Sequence, residues 1–375
     1  MRGRVLDETT SQPLEFVSVY LNTTTIGTLT NEKGEFTIPV RAGRYELIVS
    51  MVGYEPIIYP IETSRLPSAY VFKLSQQNHT LNSIQVKAKR GKEWYDNLEV
   101  FKENFLGRGE LARGSKLKNP EVLIIDYNRS QGTLKVSATD LIQIENPALG
   151  YQISYLLVAF EFIIPERYVS YLGYPRYEPM TGNARRQRRW ERNRLIAYQG
   201  STMHFVRSLR QQRLEEEGYN LRRLHRSPNP DRPSDEELEE ARKQLRAGGG
   251  WDMVPEHDPL RQVLSKSNLP KMIERLDTTQ VPYQDYLRKD SSSVTMAFDG
   301  YFQVVYTGEK EEWDYVTSSF QRRIPTFQTS VLSLHSNSVI LDELGEFIEP
   351  LNVFVEGYWS WEKVAHSLPY DYLPR

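Results

Sequence analysis

The opening stretch of this 375-residue chain leaves little choice of architecture, because short alternating segments are separated by turn residues at regular intervals. Gly3-Arg4-Val5-Leu6-Asp7 reads as a strand, and Pro13-Leu14 leads into Phe16-Val17-Ser18-Val19-Tyr20-Leu21. Asn31-Glu32-Lys33-Gly34 turns the chain from Gly27-Thr28-Leu29-Thr30 into Glu35-Phe36-Thr37-Ile38-Pro39-Val40. Ala42-Gly43-Arg44 then starts the run Tyr45 to Ser50, and Val52-Gly53-Tyr54 bends the chain again. Period-two alternation sends successive side chains to opposite faces, while Gly, Pro and Asn supply the backbone angles that corners need. An antiparallel β-sandwich is expected here. A sandwich this small serves as a spacer or docking unit more often than as a catalyst.

Beyond Ser75 the pattern changes character several times. Leu81-Asn82-Ser83-Ile84-Gln85-Val86-Lys87-Ala88 alternates like a last strand leaving the sandwich, and Lys87 to Lys92 reads as a basic linker. Trp94, Leu98, Phe101 and Phe105 recur at helical spacing, with Gly107 as a stop, so an amphipathic helix is expected from Glu93 to Leu106. Glu121 to Tyr127, Thr133 to Ala138 and Leu141 to Glu145 read as consecutive strands, and Gln131-Gly132 supplies a tight turn. Ile153 to Ile164 is the longest apolar run and, broken by Ser154 and Glu161, suits a buried strand or hairpin. Gly182 to Tyr198 and Ser201 to Glu217 look helical, the second with Phe205, Leu209 and Leu214 as its apolar stripe and Gly218 as its stop. Ser227 to Gly250 is a polar insertion in which Ser234 and Glu237 form a capping box, predicting a solvent-exposed helix that ends at Gly248-Gly249-Gly250. Alternation returns from Val294 to Thr307 and from Thr326 to Leu341.

Composition excludes several function classes. Lys+Arg and Asp+Glu nearly cancel to a net charge of -2, so nothing global points to nucleic acid or a membrane surface. Cys is absent, which removes disulfides, thiolate metal sites and a cysteine nucleophile. No stretch reaches the roughly 18 apolar residues a membrane helix needs, so no transmembrane segment is expected. Met1 sits inside the first predicted strand with no export signal ahead of it, which suggests a natural start further upstream.

Catalytic motifs fare poorly. His79, His204, His225, His257, His335 and His366 are scattered, with neither a His-x-x-Glu pair nor a His-Glu-x-x-His helix, so no metal and no cofactor are expected. Ser360-Trp361-Glu362-Lys363 matches the Ser-x-x-Lys of acyl enzymes but lacks the companion Lys-Thr-Gly. Gly109 to Lys116 resembles a phosphate loop with Lys and Ser inverted and no strand feeding it. Two surface features remain. Arg185, Arg186, Arg188 and Arg189 surround Trp190 in the densest cationic run, which suits an acidic protein partner, an anionic envelope surface, or a helix face pairing with Glu215, Glu216 and Glu217. A nucleic-acid reading would use the same arginines for phosphates and Trp190 for stacking, but it is disfavoured. Tyr358, Trp359 and Trp361 make the carboxyl end aromatic, fit either for core closure or for contact with a protein or a glycan.

Gly3-Arg4-Val5, Pro13-Leu14, Val17-Ser18-Val19, Gly27-Thr28, Thr30-Asn31, Gly34-Glu35-Phe36, Tyr45-Glu46-Leu47, Ser50 and Val52-Gly53-Tyr54 resemble the carboxypeptidase regulatory-like family. That family is a transthyretin-type sandwich found beside zinc carboxypeptidases and ahead of TonB-dependent outer-membrane transporters, non-catalytic in both settings. Phe105-Leu106-Gly107, Asn119-Pro120-Glu121, Asn146 to Tyr151, Asn193-Arg194, Ala197 to Ser201, His204-Phe205, Gly357-Tyr358-Trp359 and Leu368 to Tyr372 are similar to a group of Gram-negative envelope proteins without assigned activity. Members of that group generally begin with an export signal, and some carry Cys where this chain has Ser115.

The resemblance implies a mainly β chain, α+β overall. Residues 1–77 would form the transthyretin-like sandwich and 78–92 an exit strand and linker. Residues 93–375 would form a larger β-rich domain with a helical insertion around 182–250. It also implies location in the periplasm or at the outer membrane, and a docking or scaffold role toward an envelope protein such as an outer-membrane transporter or assembly complex. Glycan binding through the carboxyl-terminal aromatics is the alternative. Peptidase activity, suggested by the family's name, is not expected without a zinc ligand set.

Overall fold

The computed structural model describes residues 1–77, 90–290, 293–318 and 323–374. The strand expected over Leu81–Ala88 and most of the linker lie outside the described residues. Over the rest the chain is mainly β, with helices set between strands.

Strands β1 (Arg2–Asp7), β2 (Ser18–Leu21), β3 (Gly27–Leu29), β4 (Glu35–Thr37), β5 (Arg44–Ser50), β6 (Ile57–Glu62) and β7 (Tyr70–Leu74) build the sandwich. One sheet runs β4-β1-β7 and the other β3-β2-β5-β6; β1 and β7 are parallel, a departure from the antiparallel sandwich expected, because β7 comes back beside β1 only after the chain has crossed through the second sheet. Val5, Val19, Leu21, Phe36, Leu47, Val49 and Phe72 fill the space between them. The Asn31–Gly34 turn works as the sequence suggests. The Asn31 Oδ1 accepts from the backbone N–H of Lys33 and Glu35, and Gly34 lies at φ +70°, where a Cβ would come 2.4 Å from the Val5 carbonyl.

The second unit begins with α1 (Lys92–Phe105) and β8 (Lys116–Leu117), followed by β9 (Leu123–Asn128), β10 (Thr133–Ala138), β11 (Ile142–Asn146), β12 (Tyr151–Ile163) and β13 (Tyr168–Pro179). Strand β12, the long apolar run, is the spine. Its first half pairs with β11, its second half with β10, and nearly its whole length with β13. Helix α1 lays Leu98, Phe101 and Phe105 on this sheet, with edge-on ring contacts from Phe101 to Phe160 and from Phe105 to Tyr155.

Helices α2 (Ala184–Tyr198) and α3 (Thr202–Arg210) come next, capped by Asn183 and Ser201. The third unit follows: β14 (Tyr219–Pro228), α4 (Asp235–Ala247), α5 (Pro259–Ser265), β15 (Met272–Leu276), α6 (Tyr283–Tyr286), β16 (Leu287–Lys289), β17 (Val294–Met296) and β18 (Tyr301–Lys310). It continues with α7 (Trp313–Ser318), β19 (Phe327–Leu334), β20 (Val339–Leu341), β21 (Phe347–Ile348), β22 (Val353–Gly357) and α8 (Tyr358–Trp361). These strands form two sheets, β15-β14-β18-β19-β22 and β16-β17-β20-β21.

Three local expectations change. The helix expected over Ser201–Glu217 ends at Arg210, because Gln212 takes a left-handed conformation and the Leu214 N–H finds the Tyr283 hydroxyl at 2.8 Å instead of a helical carbonyl. The run Val294–Thr307 divides at Gly300 (φ +77°) into β17 and β18, which join different sheets, and Thr326–Leu341 divides likewise into β19 and β20. Helix α4 has the expected capping box, but it buries Leu238 and Ala241 rather than standing free in solvent. Two hydrophobic cores follow residue 93: the first under α1 and β12, the second between α3 and the sheets of the third unit.

Two joints hold the units together. Between β2 and β3, Thr23 donates its N–H to the Pro175 carbonyl at 2.7 Å and accepts from Tyr370 at 2.6 Å, while Tyr177 donates to the Thr24 carbonyl at 2.9 Å. Asp371 accepts from the Thr25 N–H at 2.9 Å and also from its hydroxyl. Close by, burial raises the Glu346 carboxyl to about 8, with the Glu46 charge adding to the rise. The second joint is α2, whose buried Trp190 donates Nε1–H to the Pro147 carbonyl at 2.9 Å and presses its ring on Gly150, where a Cβ would sit 2.3 Å from it.

Trp190 lies 2% exposed in a close-packed seat, so Trp190→Ala is expected to cost about 3–5 kcal/mol in a denaturant titration. A loss below about 1 kcal/mol would contradict this packing. Because the folded Glu346 value is raised, its stabilising contribution is complete below the ordinary value of 4.5 and is lost as pH climbs through about 8. Glu346→Gln keeps the neutral form at every pH. Its melting temperature relative to the parent should therefore rise steadily from pH 5 to pH 9, and a difference independent of pH would refute the assignment.

Candidate functional site

A cleft of about 1160 Å³ lies between the second and third units. One wall is the start of β13, Tyr168 to Tyr171, and the other is β22, Val353 to Glu356. The rings of Tyr168 and Phe354 stack across it at 5.8 Å. Strand β22 is the outermost strand of its sheet, bonded to β19 on one side, and no strand pairs with its other side among the described residues. Residues Trp361, Glu362 and Lys363, which leave α8, complete the lining.

Burial dominates the chemistry of this lining. It raises Glu362 to about 8, with Glu312 and Glu309 adding their charges, and it lowers Lys363 to about 8. Behind Lys363, burial and then the Lys363 charge bring His366 down to about 4, and its Nδ1 accepts from the Lys363 N–H at 3.3 Å. Glu309, raised to about 7 by burial, accepts from the Gln328 amide at 3.3 Å. Perturbed groups of this kind collect at functional sites. A nucleophile, however, is not assembled from them. Ser360 and Lys363 line the same cleft, yet the Ser360 hydroxyl donates to the Gly357 carbonyl at 2.7 Å and no hydrogen bond joins it to Lys363. Among the described residues no group of three His, Cys, Asp or Glu is placed to hold a metal ion. What the cleft offers is shape, aromatic surface, main-chain polar groups and charge.

The residues singled out in the sequence divide. Arg185, Arg186, Arg188 and Arg189 are all exposed on α2. Arg189 reaches the Pro147 carbonyl at 3.4 Å, while Arg185, Arg186 and Arg188 make no ion pair among the described residues. The expected pairing with Glu215, Glu216 and Glu217 does not form. Arg213 takes Glu216 at 2.7 Å and Glu217 at 3.1 Å, and His204 lies 3.4 Å from Glu217.

Trp190 is not available for contact, because it anchors α2 from beneath. Tyr358 and Trp359 are withdrawn in the same way. Trp359 packs on Phe205 and donates to the Gly200 carbonyl at 2.7 Å, and Tyr358 meets the edge of Tyr315, so both close cores. Trp359 and Trp361 both border the cleft, but Trp359 is buried and spent on packing, whereas Trp361 is half-buried. Sequence reasoning met Glu362 and Lys363 only within the Ser-x-x-Lys match and did not single them out as site residues. The available signal was two opposite charges directly after the aromatic run Tyr358–Trp361, where a chain closing a core would normally avoid charge.

In comparisons with known proteins, residues 1–86 match the family model of the CarboxypepD_reg-like domain. No curated protein matches the chain. A solved structure from Bacteroides fragilis NCTC 9343, of unknown function and provisionally described as membrane-associated, shares 10% identity over 91% of this chain and 94% of its own. The TM-score between the two is 0.17. No helix among the described residues is long and apolar enough to cross a membrane. The seven strands of the sandwich, from Arg2 to Leu74, fall within the stretch that is similar to the CarboxypepD_reg-like family model, at the front of a mainly β chain.

Proposed function

We propose that this protein is a non-catalytic docking module of the cell envelope. The exposed arginines of α2 would meet an acidic face of another envelope protein, such as an outer-membrane transporter or assembly complex. The observation that carries this reading is a set of exposed arginines that make no ion pair among the described residues. Arg185, Arg188, Arg189 and Arg192 follow the i, i+3, i+4, i+7 spacing of one helix side, all exposed, against the single acid of α2, Glu191, while Glu216 and Glu217 are engaged by Arg213. Like charges held together repel, and an acidic partner relieves that repulsion while being steered toward it. The seat of Trp190 makes the face rigid, so little ordering entropy is lost on contact.

With Trp190 buried, the stacking element of a nucleic-acid site is missing from this face. The glycan alternative loses Tyr358 and Trp359 in the same way. The CarboxypepD_reg-like domain agrees with a docking role, and envelope location rests on the sequence resemblance.

The test is cross-linking capture from envelope extracts with the parent protein and with Arg185→Glu, Arg188→Glu, Arg192→Glu combined. A partner should be captured at low salt, and its recovery should fall about tenfold in the variant. Capture should also fade near 1 M salt, where charges are screened within about 3 Å. The melting temperature should stay unchanged. Capture indifferent to both charge reversal and salt would overturn the proposal.

A further inference from the structure

We propose that the cleft between β13 and β22 binds an extended acidic peptide segment, added as a strand along β22, with an Asp or Glu side chain of the ligand seated on Lys363. This is a second surface, separate from the α2 face and recognised by different chemistry.

The first support is the strand edge. In an antiparallel pair only alternate residues of β22 spend their main-chain groups on β19, and the others point away from it. Val353, Phe354, Val355 and Glu356 line the cleft, and no strand pairs with the outward side of β22 among the described residues. Natural edges are blunted by lysine, proline, bulges or covering loops. Val353-Phe354-Val355-Glu356-Gly357 contains no lysine or proline and pairs with β19 in unbroken register. Its one charge, Glu356, is tied to Arg226 at 2.6 and 2.9 Å. Such an edge is suited to strand addition, in which main-chain bonds give affinity and flanking side chains give selectivity.

The second support is the charge inventory of the lining. Among the acids of the lining, Glu103 is paired with Arg108 and Glu356 with Arg226, burial raises Glu362 to about 8, and Glu166, just before β13, stands exposed to solvent. Lys363 has no anion: it makes no ion pair among the described residues, although burial bears on it strongly enough to lower its value to about 8. A half-buried ammonium without a counterion carries a desolvation cost that a ligand carboxylate would offset. Trp361 beside it provides an apolar flank for the ligand chain.

The probes are C-terminally amidated peptides of alternating threonine and valine with a central Asp, Asn or Pro, followed by fluorescence polarisation against the whole chain. The Asp peptide should bind about tenfold more tightly than the Asn peptide. The preference should vanish in Lys363→Met and return in Lys363→Arg, each variant first shown to keep the parent melting temperature; if Lys363→Met does not, Lys363→Gln replaces it. Central Pro removes a main-chain donor and should abolish binding. The α2 charge reversal should leave peptide binding intact, which separates this result from the docking reading. Equal binding of Asp and Asn peptides, tolerance of Pro, or no binding by any of the three would overturn the proposal.

Discussion

The turn Asn146-Pro147-Ala148-Leu149-Gly150 is the point on which the rest of the molecule depends. The Asn146 side chain, fully buried, accepts from the N–H groups of Ala148 and Leu149 at 3.1 Å each and donates to the Ala365 carbonyl at 2.8 Å. The carbonyls of Pro147, Ala148 and Leu149 face α2, where Trp190, Asn193 and Arg194 donate to them at 2.9, 2.8 and 2.8 Å. A buried carbonyl must find a donor, and here three successive carbonyls find theirs on one helix. One five-residue turn thus fixes the β11–β12 hairpin, the helix bearing the arginines, and the returning carboxyl-terminal segment.

That return explains the site. Val364, Ala365 and Leu368 enter the core beneath β12, and the Ala365 N–H bonds the Leu106 carbonyl at the end of α1. For this to happen, the chain must pass from the edge of the third unit back to the second, and Ser360 to Lys363 are the residues that make the crossing. They cannot be wholly apolar, since they line an open cleft, nor wholly solvated, since both walls press on them. Burial without a partner is the physical result, and it is felt by Glu362 and Lys363.

How much of this could be read in advance follows from the range of the forces involved. The strands of the sandwich, the long apolar β12, the α1 stripe and the Ser234–Glu237 capping box depend on neighbours within a few residues, and each is legible in the sequence. The premature end of α3 depends on Tyr283, some seventy positions away, and the division of Val294–Thr307 depends on which sheet each half joins. The fate of the aromatics was out of reach for the same reason. Trp190 inside an arginine run looks like a contact residue, because nothing local reveals that Gly150 and Gly182 leave a seat for its ring.

The amino-acid order by itself determined where strands and helices form, because periodicity, caps and turn residues act over a few positions. It also determined that the chain offers neither a cysteine nor a histidine-rich metal motif, since those are matters of composition and spacing. Only the tertiary structure decided which cations stand unpaired, which aromatics are spent on packing, and which strand edge is left open. Those properties belong to residues far apart in the chain that share a surface, and whether a charge meets its counterion or a ring meets its pocket is settled when the units close on one another.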